Sequence, residues 1–243
     1  AIAELQEALD LPTPPSRIEC YDISTNQGTA TVASRVVFAQ GAPRKSEYRR
    51  FNIRTISHQG PDDFQSMREA LTRRFNRWKD SQADPIQATP DGKDNDETWR
   101  ILPDLLMIDG GKGQLGVAVE VLKEFGLYGV LPVVSLAKQF EELYLPGQPT
   151  PVILPRTSQA LYLVQRVRDE AHRFAITSHR QQRAKIGMVS QLENVPGIGP
   201  AKRKALLRAF DNSIDAIRKA SIDELTAVKG ITPDVARAIK EIL

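Results

Sequence analysis

The residues of this 243-residue chain best suited to do chemistry are two aspartates and a histidine. Asp22 lies in the stretch RIECYDIS (17–24), Asp109 closes LLMID (105–109), and His172 stands in VQRVRDEAHRFAI (164–176). Alternation along a strand puts Ile18, Cys20 and Asp22 on one face and Glu19 and Tyr21 on the other, so Asp22 ends an apolar row. A carboxylate there loses hydration and needs a partner, which a strand-edge hydrogen bond, an arginine or a metal would each supply. Asp109 ends the run Leu105–Ile108, which reads as a buried central strand, and a glycine turn and a helix follow it. If the first and fourth strands lie side by side, the two aspartates meet. Two carboxylates a few ångströms apart raise each other's proton affinity unless a cation lies between them. Hard oxygen donors favour Mg²⁺ or Mn²⁺, and a metal so held can activate water and stabilise the leaving oxygen of a phosphodiester. A strand-end hydrogen bond accounts for most single aspartates; for the pair, the metal reading is the stronger.

His172 sits at the margin of the helical stripe Val164, Val167, Ala171 and Ala175, one turn beyond Arg168. From there an imidazole can reach a cleft to ligate metal or handle a proton, although most lone histidines so placed are packed or solvated. His58 and His179 stand in loop-like contexts and receive no role. PDDFQ (61–65) resembles a capping box, with Asp62 as N-cap and Gln65 three residues on, and capping accounts for Asp62. Asp63 falls in the first turn, where the helix dipole favours an acid, and is a secondary catalytic candidate. Lys112, Arg49 and Arg50 are candidate phosphate contacts, set against the ordinary alternative of solvated surface. IDGGKGQ is not a nucleotide-binding P-loop: Gly113 follows Lys112 where Walker A needs Ser or Thr, and Leu106 stands where its first glycine should be.

The elements that must position these residues follow in order. After LPTPPS come three strand-like runs, Arg17–Ser24, Thr29–Phe38 and Ser46–Ile53, separated by turn-rich TNQG and AQGAPRK, as in an antiparallel meander. GPDDFQSMREALTRRFNRW then changes to helical period, with Phe64, Met67, Leu71 and Phe75 on one stripe. Residues 80–98 carry six acids against one lysine, and two prolines, which predicts a disordered surface insertion. A strand at Leu105–Ile108, a helix, a strand in LPVVSLAK, a hairpin over 141–156 and an amphipathic helix over 158–176 complete a mixed α/β layer fold.

The chain is 41% hydrophobic and 26% charged, ordinary for a globular protein. No apolar run approaches the roughly 20 residues of a membrane span, and no basic-then-apolar leader opens the chain, so the expectation is cytoplasmic. The start at Ala1, inside what reads as a helix tail, suggests a piece of something longer. Cys20 is the single cysteine, which excludes an internal disulfide and a Cys-rich zinc site. The net charge of +3 is unevenly spread: residues 179–243 hold 12 Lys+Arg against 7 Asp+Glu. That bias suits a polyanion, though many small solvated domains share it.

The tail repeats itself. LENVPGIGPAKRKALLRAF from Leu192 and LTAVKGITPDVARAIKEIL from Leu225 align with a period of 33 residues. Each copy reads as helix, apolar-Gly-apolar hairpin and a second helix opened by proline, with Thr232 as N-cap in the later copy. This is a tandem helix-hairpin-helix. The amides around Gly197, Ile198 and Gly199, and around Gly230, Ile231 and Thr232, precede a helix whose free N–H groups favour an anion, and they would hold DNA without reading bases. Lys202, Arg203 and Lys204 add charge after the first hairpin, whereas Asp234 follows the second. A five-helix protein-docking module is the competing interpretation.

CYDIS, VASRVVF, EYRRFNI, LPDLLMIDGGKGQL, VSLAK, VRDEAHRFAI and HRQQRAK occur in the order found in the UvrC family, the incising component of the bacterial UvrABC excinuclease, and the chain from about Arg17 to its end resembles that family's carboxy-terminal half. The resemblance implies a ribonuclease H-like endonuclease over 17–177, with 1–16 a helix tail and linker, 178–191 a linker and 192–243 the tandem helix-hairpin-helix. It implies metal-dependent 5′ incision beside a lesion in nucleotide excision repair. The site would be Asp22, Asp109 and His172, with Asp63 as a further acid and Mg²⁺ or Mn²⁺ as cofactor. It implies damaged duplex, junction or bubble DNA as partner, and UvrB bound in the full-length protein mainly by a segment outside this chain, as is the GIY-YIG-type nuclease of the 3′ cut. Thr25 departs from the family's usual histidine in DISH. The alternatives are a non-catalytic DNA-binding scaffold and a structure-specific nuclease unrelated to excision repair.

Overall fold

The computed structural model of the chain describes residues 1–26, 30–55, 62–83, 97–137 and 141–243, the side chains of 26, 30, 83, 97 and 178–190 excepted. The chain divides into two compact units, Ala1–Ile176 and Thr177–Leu243.

The first unit is built on a mixed sheet whose strands are β1 (Arg17–Asn26), β2 (Ala30–Ala39), β3 (Ala42–Pro43), β4 (Arg49–Asn52), β5 (Leu105–Asp109), β6 (Val133–Ala137) and β7 (Glu142–Tyr144). Their order is β3-β2-β1-β5-β6-β7, with β4 also paired to β2. β1 runs antiparallel to β2 and parallel to β5, and β5 parallel to β6. The meander therefore builds outward on one side of β1, and the strand–helix–strand part builds on the other. This is the layered α/β, ribonuclease H-like order expected from the strand sequence.

Alternation sorts the strand side chains into two cores. Ile18, Cys20, Val36, Phe38, Leu105, Met107, Val134 and Leu136 pack on one face with α1 (Ile2–Ala8) and α4 (Gln159–Glu193). Tyr21, Ala33, Phe51, Leu106, Ile108 and Val133 pack on the other with α2 (Asp63–Ala83) and α3 (Lys112–Glu124). β5 is buried at every position, as a central parallel strand covered on both sides must be.

Several local expectations shift. Residues 1–16 are more than a tail, because Leu5, Leu9 and Leu11 are buried in the core under α4. The strand predicted over 46–53 opens as a 3-10 turn at Lys45–Glu47, and only Arg49–Asn52 pairs. The hairpin predicted over 141–156 is reduced to β7 and a single bridge, Leu143 to Val152. The helix predicted to end at Ile176 runs on to Glu193, through the residues read as linker. Nothing there breaks a helix, since 177–191 contains no proline and one glycine. Most of the acidic stretch 80–98 lies outside the described residues.

In the second unit the end of α4 is followed by α5 (Pro200–Ala209), α6 (Ile214–Lys219), α7 (Ile222–Thr226) and α8 (Pro233–Ile242) around Leu192, Val195, Leu206, Ile217, Leu225, Ile231 and Ile239. Pro200 and Pro233 open their helices. No helix among the described residues is long and apolar enough to cross a membrane.

Candidate active site and nucleic-acid interface

Asp22 and Asp109 are direct register partners on the parallel pair β1 and β5. Register partners on parallel strands project to the same face, here the one covered by α4, with Cα atoms on the order of 5 Å apart. Both residues are buried, at 2% and 3% exposure. Asp109 ends β5, and Asp22 is the last residue of β1 that pairs with β5, β1 itself running on to Asn26 beside β2. The pair lies between the two strands from which the chain grows in opposite directions across the sheet, the position where open α/β sheets form their clefts.

His172 comes to the same place from above. Val164, Val167, Ala171 and Ala175 seat α4 on the sheet, and the next position after Ala171 turns the imidazole to the sheet's end. Its Nδ1 lies 3.7 Å from Asp22 Oδ2, and its side chain is 57% exposed. Ser34, the partner of Asp22 on β2, closes the other side, with Oγ 3.5 Å from the carbonyls of Asp22 and Ala171. The donors thus gather in one place, although no group of three His, Cys, Asp or Glu among the described residues is close enough to form a ready metal cage. The two carboxylates are oxygen donors of the kind that Mg²⁺ and Mn²⁺ take, with the His172 imidazole beside them.

The turn after Asp109 brings the starts of two helices together. Gly111 is the N-cap of α3 with extended backbone, and the first turn of that helix carries no acid. A Cβ on Gly113 would stand 2.6 Å from the Phe64 ring, so glycine there lets the start of α2 lie against the start of α3. Asp62 Oδ1 accepts from the N–H groups of Phe64 and Gln65, which is the cap that the sequence predicts. Asp63 is exposed, next to the ring that touches Gly113. It shares neither the strand nor the burial of Asp22 and Asp109.

Lys112 is occupied: its Nζ donates to the Pro149 carbonyl at 2.9 Å and lies 4.7 Å from the centre of the Tyr144 ring. It fastens the β7 region to the start of α3. Thr25 Oγ1 lies 3.4 Å from Thr31 Oγ1 across the β1–β2 pair. His58 and the side chain of His179 lie outside the described residues.

The opposite face of β1 holds a cluster that sequence reasoning missed. Glu19 is fully buried and receives Arg74 Nε and Nη2 at 3.0 and 2.9 Å and the Tyr21 hydroxyl at 3.1 Å. Arg35 and Arg17 each come within 3.6 Å of it. Burial pushes the Glu19 carboxyl up, but the guanidinium groups of Arg35, Arg74 and Arg17 outweigh that and hold it at about 2. Arg35 also lies 4.2 Å from the centre of the Trp99 ring, whose carbonyl accepts from Arg74. The available signal was Glu19 in mid-strand on the face opposite Asp22, which demands an internal cation.

In the tail, Gly197 and Gly230 have φ of +83° and +91°, where glycine alone is relaxed. Gly199 is the N-cap of α5 and donates no side chain to its amides; Thr232 Oγ1 caps α8 by accepting from Val235 N–H. The two hairpins are brought together: a Cβ on Gly197 would meet Val235 at 3.1 Å, and one on Gly230 would meet Lys202 at 3.9 Å. Ile198 and Ile231 are buried beneath them. Arg203 pairs with Glu193 and Asp234 with Arg237, while Lys204 is exposed. Of the three basic residues after the first hairpin, Lys202 and Lys204 are therefore the ones not spent on an ion pair among the described residues.

Residues 6–176 match the family described as the UvrC RNAse H endonuclease domain, and 189–243 match the SAM-like helix-hairpin-helix tandem. The chain is 50% identical over 253 residues to the UvrABC system protein C of Parafrankia sp. strain EAN1pec, covering 98% of this chain and 36% of that protein. It is 48% identical over 243 residues to the UvrABC system protein C of Dehalococcoides mccartyi strain BAV1, covering 100% and 37%. The chain thus spans little more than a third of the length of these relatives. A crystal structure of Ciona intestinalis endonuclease V with a 24mer DNA containing an inosine aligns over 69% of this chain and 65% of that one, at 11% identity and a TM-score of 0.34.

Proposed function

This chain belongs to the UvrC RNAse H endonuclease domain family, and from that premise we propose that it is a divalent-metal-dependent DNA endonuclease that makes the 5′ incision beside a lesion in nucleotide excision repair, within the UvrABC system. The observation that carries this reading is the register pairing of two buried carboxylates, Asp22 and Asp109, at the end of the β1–β5 ladder. Asp22, Asp109 and His172 would hold Mg²⁺ or Mn²⁺, which supplies charge neutralisation and an activated water for phosphodiester hydrolysis.

The chain's own residues prepare that chemistry. β1 and β5 hold the two carboxylates on one face at one level of the sheet, so that only their side-chain torsions need adjust on binding. α4 holds His172 against Asp22, where the imidazole serves as a ligand or as the group that carries a proton. Asp63, at the start of α2, is a further acid for this site. The paired hairpins of the tail hold the DNA backbone through Gly197–Gly199 and Gly230–Thr232, with Lys202 and Lys204 adding positive charge. UvrB is the partner that loads the full-length protein on damaged DNA, and the compartment is the cytoplasm.

A non-catalytic scaffold with the same fold is the second reading, favoured by the open spacing of the three donors. The test is 5′ incision of a lesion-containing duplex loaded with UvrB, using the full-length protein with Mg²⁺ or EDTA. Metal-dependent incision that falls to background in Asp22→Asn and Asp109→Asn supports the endonuclease. Incision that survives either substitution overturns the assignment.

A further inference from the structure

The tandem arginines of EYRRFNI part company on the sheet. Arg49 is the register partner of buried Arg35, and its guanidinium lies 5.9 Å from the centre of the Trp99 ring, on the face covered by α2. Arg50 is the partner of Ser34, so it projects on the opposite face, beneath α4. At one level across β5, β1, β2 and β4 the successive register partners are therefore Asp109, Asp22, Ser34 and Arg50. Two strand spacings put the Cα atoms of Arg50 and Asp22 roughly 10 Å apart.

α4 holds this arginine as it holds the histidine. The Arg50 guanidinium lies 4.7 Å from the centre of the Phe174 ring, two positions after His172. Phe174 in turn meets Tyr48 edge-on at 5.2 Å, and the Tyr48 hydroxyl donates to Glu170 at 3.1 Å. Glu170 also takes two hydrogen bonds from Arg173, each 2.7 Å long. A stack of this kind fixes the plane of a guanidinium in advance and leaves its charge intact.

We propose that Arg50 is a substrate-binding residue that grips a DNA phosphate next to the scissile one, with Phe174 as its positioning residue. This rests on the reading that Asp22 and Asp109 act on DNA. Two adjacent carboxylates repel a polyanionic backbone, and a cation on the same row offsets that repulsion. The planar fork of a guanidinium matches two phosphate oxygens at once. Its distance from the carboxylates assigns it to a neighbouring phosphate and to binding.

DNA binding by this chain is measured by fluorescence anisotropy against salt in EDTA, so that no cleavage is required, for wild type, Arg50→Ala, Arg50→Lys, Phe174→Leu and Arg49→Ala, with thermal melts of each. Arg50→Ala is expected to weaken binding roughly tenfold and to lower the salt slope by about one. Arg50→Lys keeps the slope at intermediate affinity, Phe174→Leu weakens binding at unchanged slope, and Arg49→Ala keeps the wild-type slope. In the full-length protein Arg50→Ala raises the DNA concentration for half-maximal incision and leaves kcat within about twofold. A wild-type slope in Arg50→Ala overturns the proposal, as does a fall in kcat at unchanged half-saturation. If wild type binds with the expected slope change at Arg50 but never incises, the endonuclease reading fails and the phosphate contact stands.

Discussion

The two faces of β1 treat their acids in opposite ways. On the α2 face, Glu19 lies among Arg74, Arg35 and Arg17, and its carboxyl is held at about 2. On the α4 face, three residues on, Asp22 is the last β1 residue to pair with β5, with another carboxylate as its register partner and His172 Nδ1 3.7 Å away. A buried acid enclosed by cations is a structural member, because its charge is neutralised by the fold itself. A buried acid set against an acid is an unfavourable arrangement for the folded chain alone, and such places mark sites whose neutralising charge comes with a ligand or substrate.

Removing each acid in turn should separate these roles. Glu19→Ala leaves Arg74 and Arg35 buried without their anion and should cost about 3–5 kcal/mol in urea denaturation. Asp109→Asn should stay within about 1 kcal/mol of wild type in the same measurement while abolishing metal-dependent incision. Equal destabilisation by the two would erase the distinction.

Acid offers a second way to break the comparison. Glu19 has a folded pKa below its unfolded one, so its contribution is fully present above about 4.5 and is lost as pH falls towards about 2. Stability measured between pH 5 and 2 should fall by roughly 3 kcal/mol from this group, and Glu19→Gln should flatten that part of the profile. A wild-type profile in Glu19→Gln would show that the cluster is not the acid-sensitive element.

The smallest contrast is between neighbours. Asp62→Ala removes the cap of α2 and should cost about 1 kcal/mol with incision nearly intact. Asp63→Ala should leave the melting temperature unchanged and lower incision. If Asp63→Ala behaves like Asp62→Ala, Asp63 belongs to the helix start rather than to the chemistry.

Much of this was legible in the sequence, for identifiable reasons. An acid that ends an apolar row, a meander followed by a parallel strand and a helix with a clean apolar stripe place β1 beside β5 and α4 over them. The helix-hairpin-helix repeat was legible because its glycines need positive φ and its prolines open helices. The Glu19 cluster was not, because its partners come from β2 and α2, and no local pattern links residues 19, 35 and 74. The separation of Arg49 from Arg50 needed the register of β4, since a run shortened at its start leaves the facing of each residue undecided. The length of α4 was missed because the polar run HRQQRAK after Ile176 interrupts the apolar period by which a helix is read.

The pairing of β1 with β5 also sets when the row of Asp109, Asp22, Ser34 and Arg50 comes into being. The Arg17 N–H donates to the Asp104 carboxylate across 87 positions of chain, and that offset is kept through the parallel register to Asp22 and Asp109. Pairings so distant in sequence are slow to close, because the loop entropy must be met before any contact offsets it. A nascent or partly unfolded chain thus carries two isolated aspartates, which are brought together by the same event that completes the sheet.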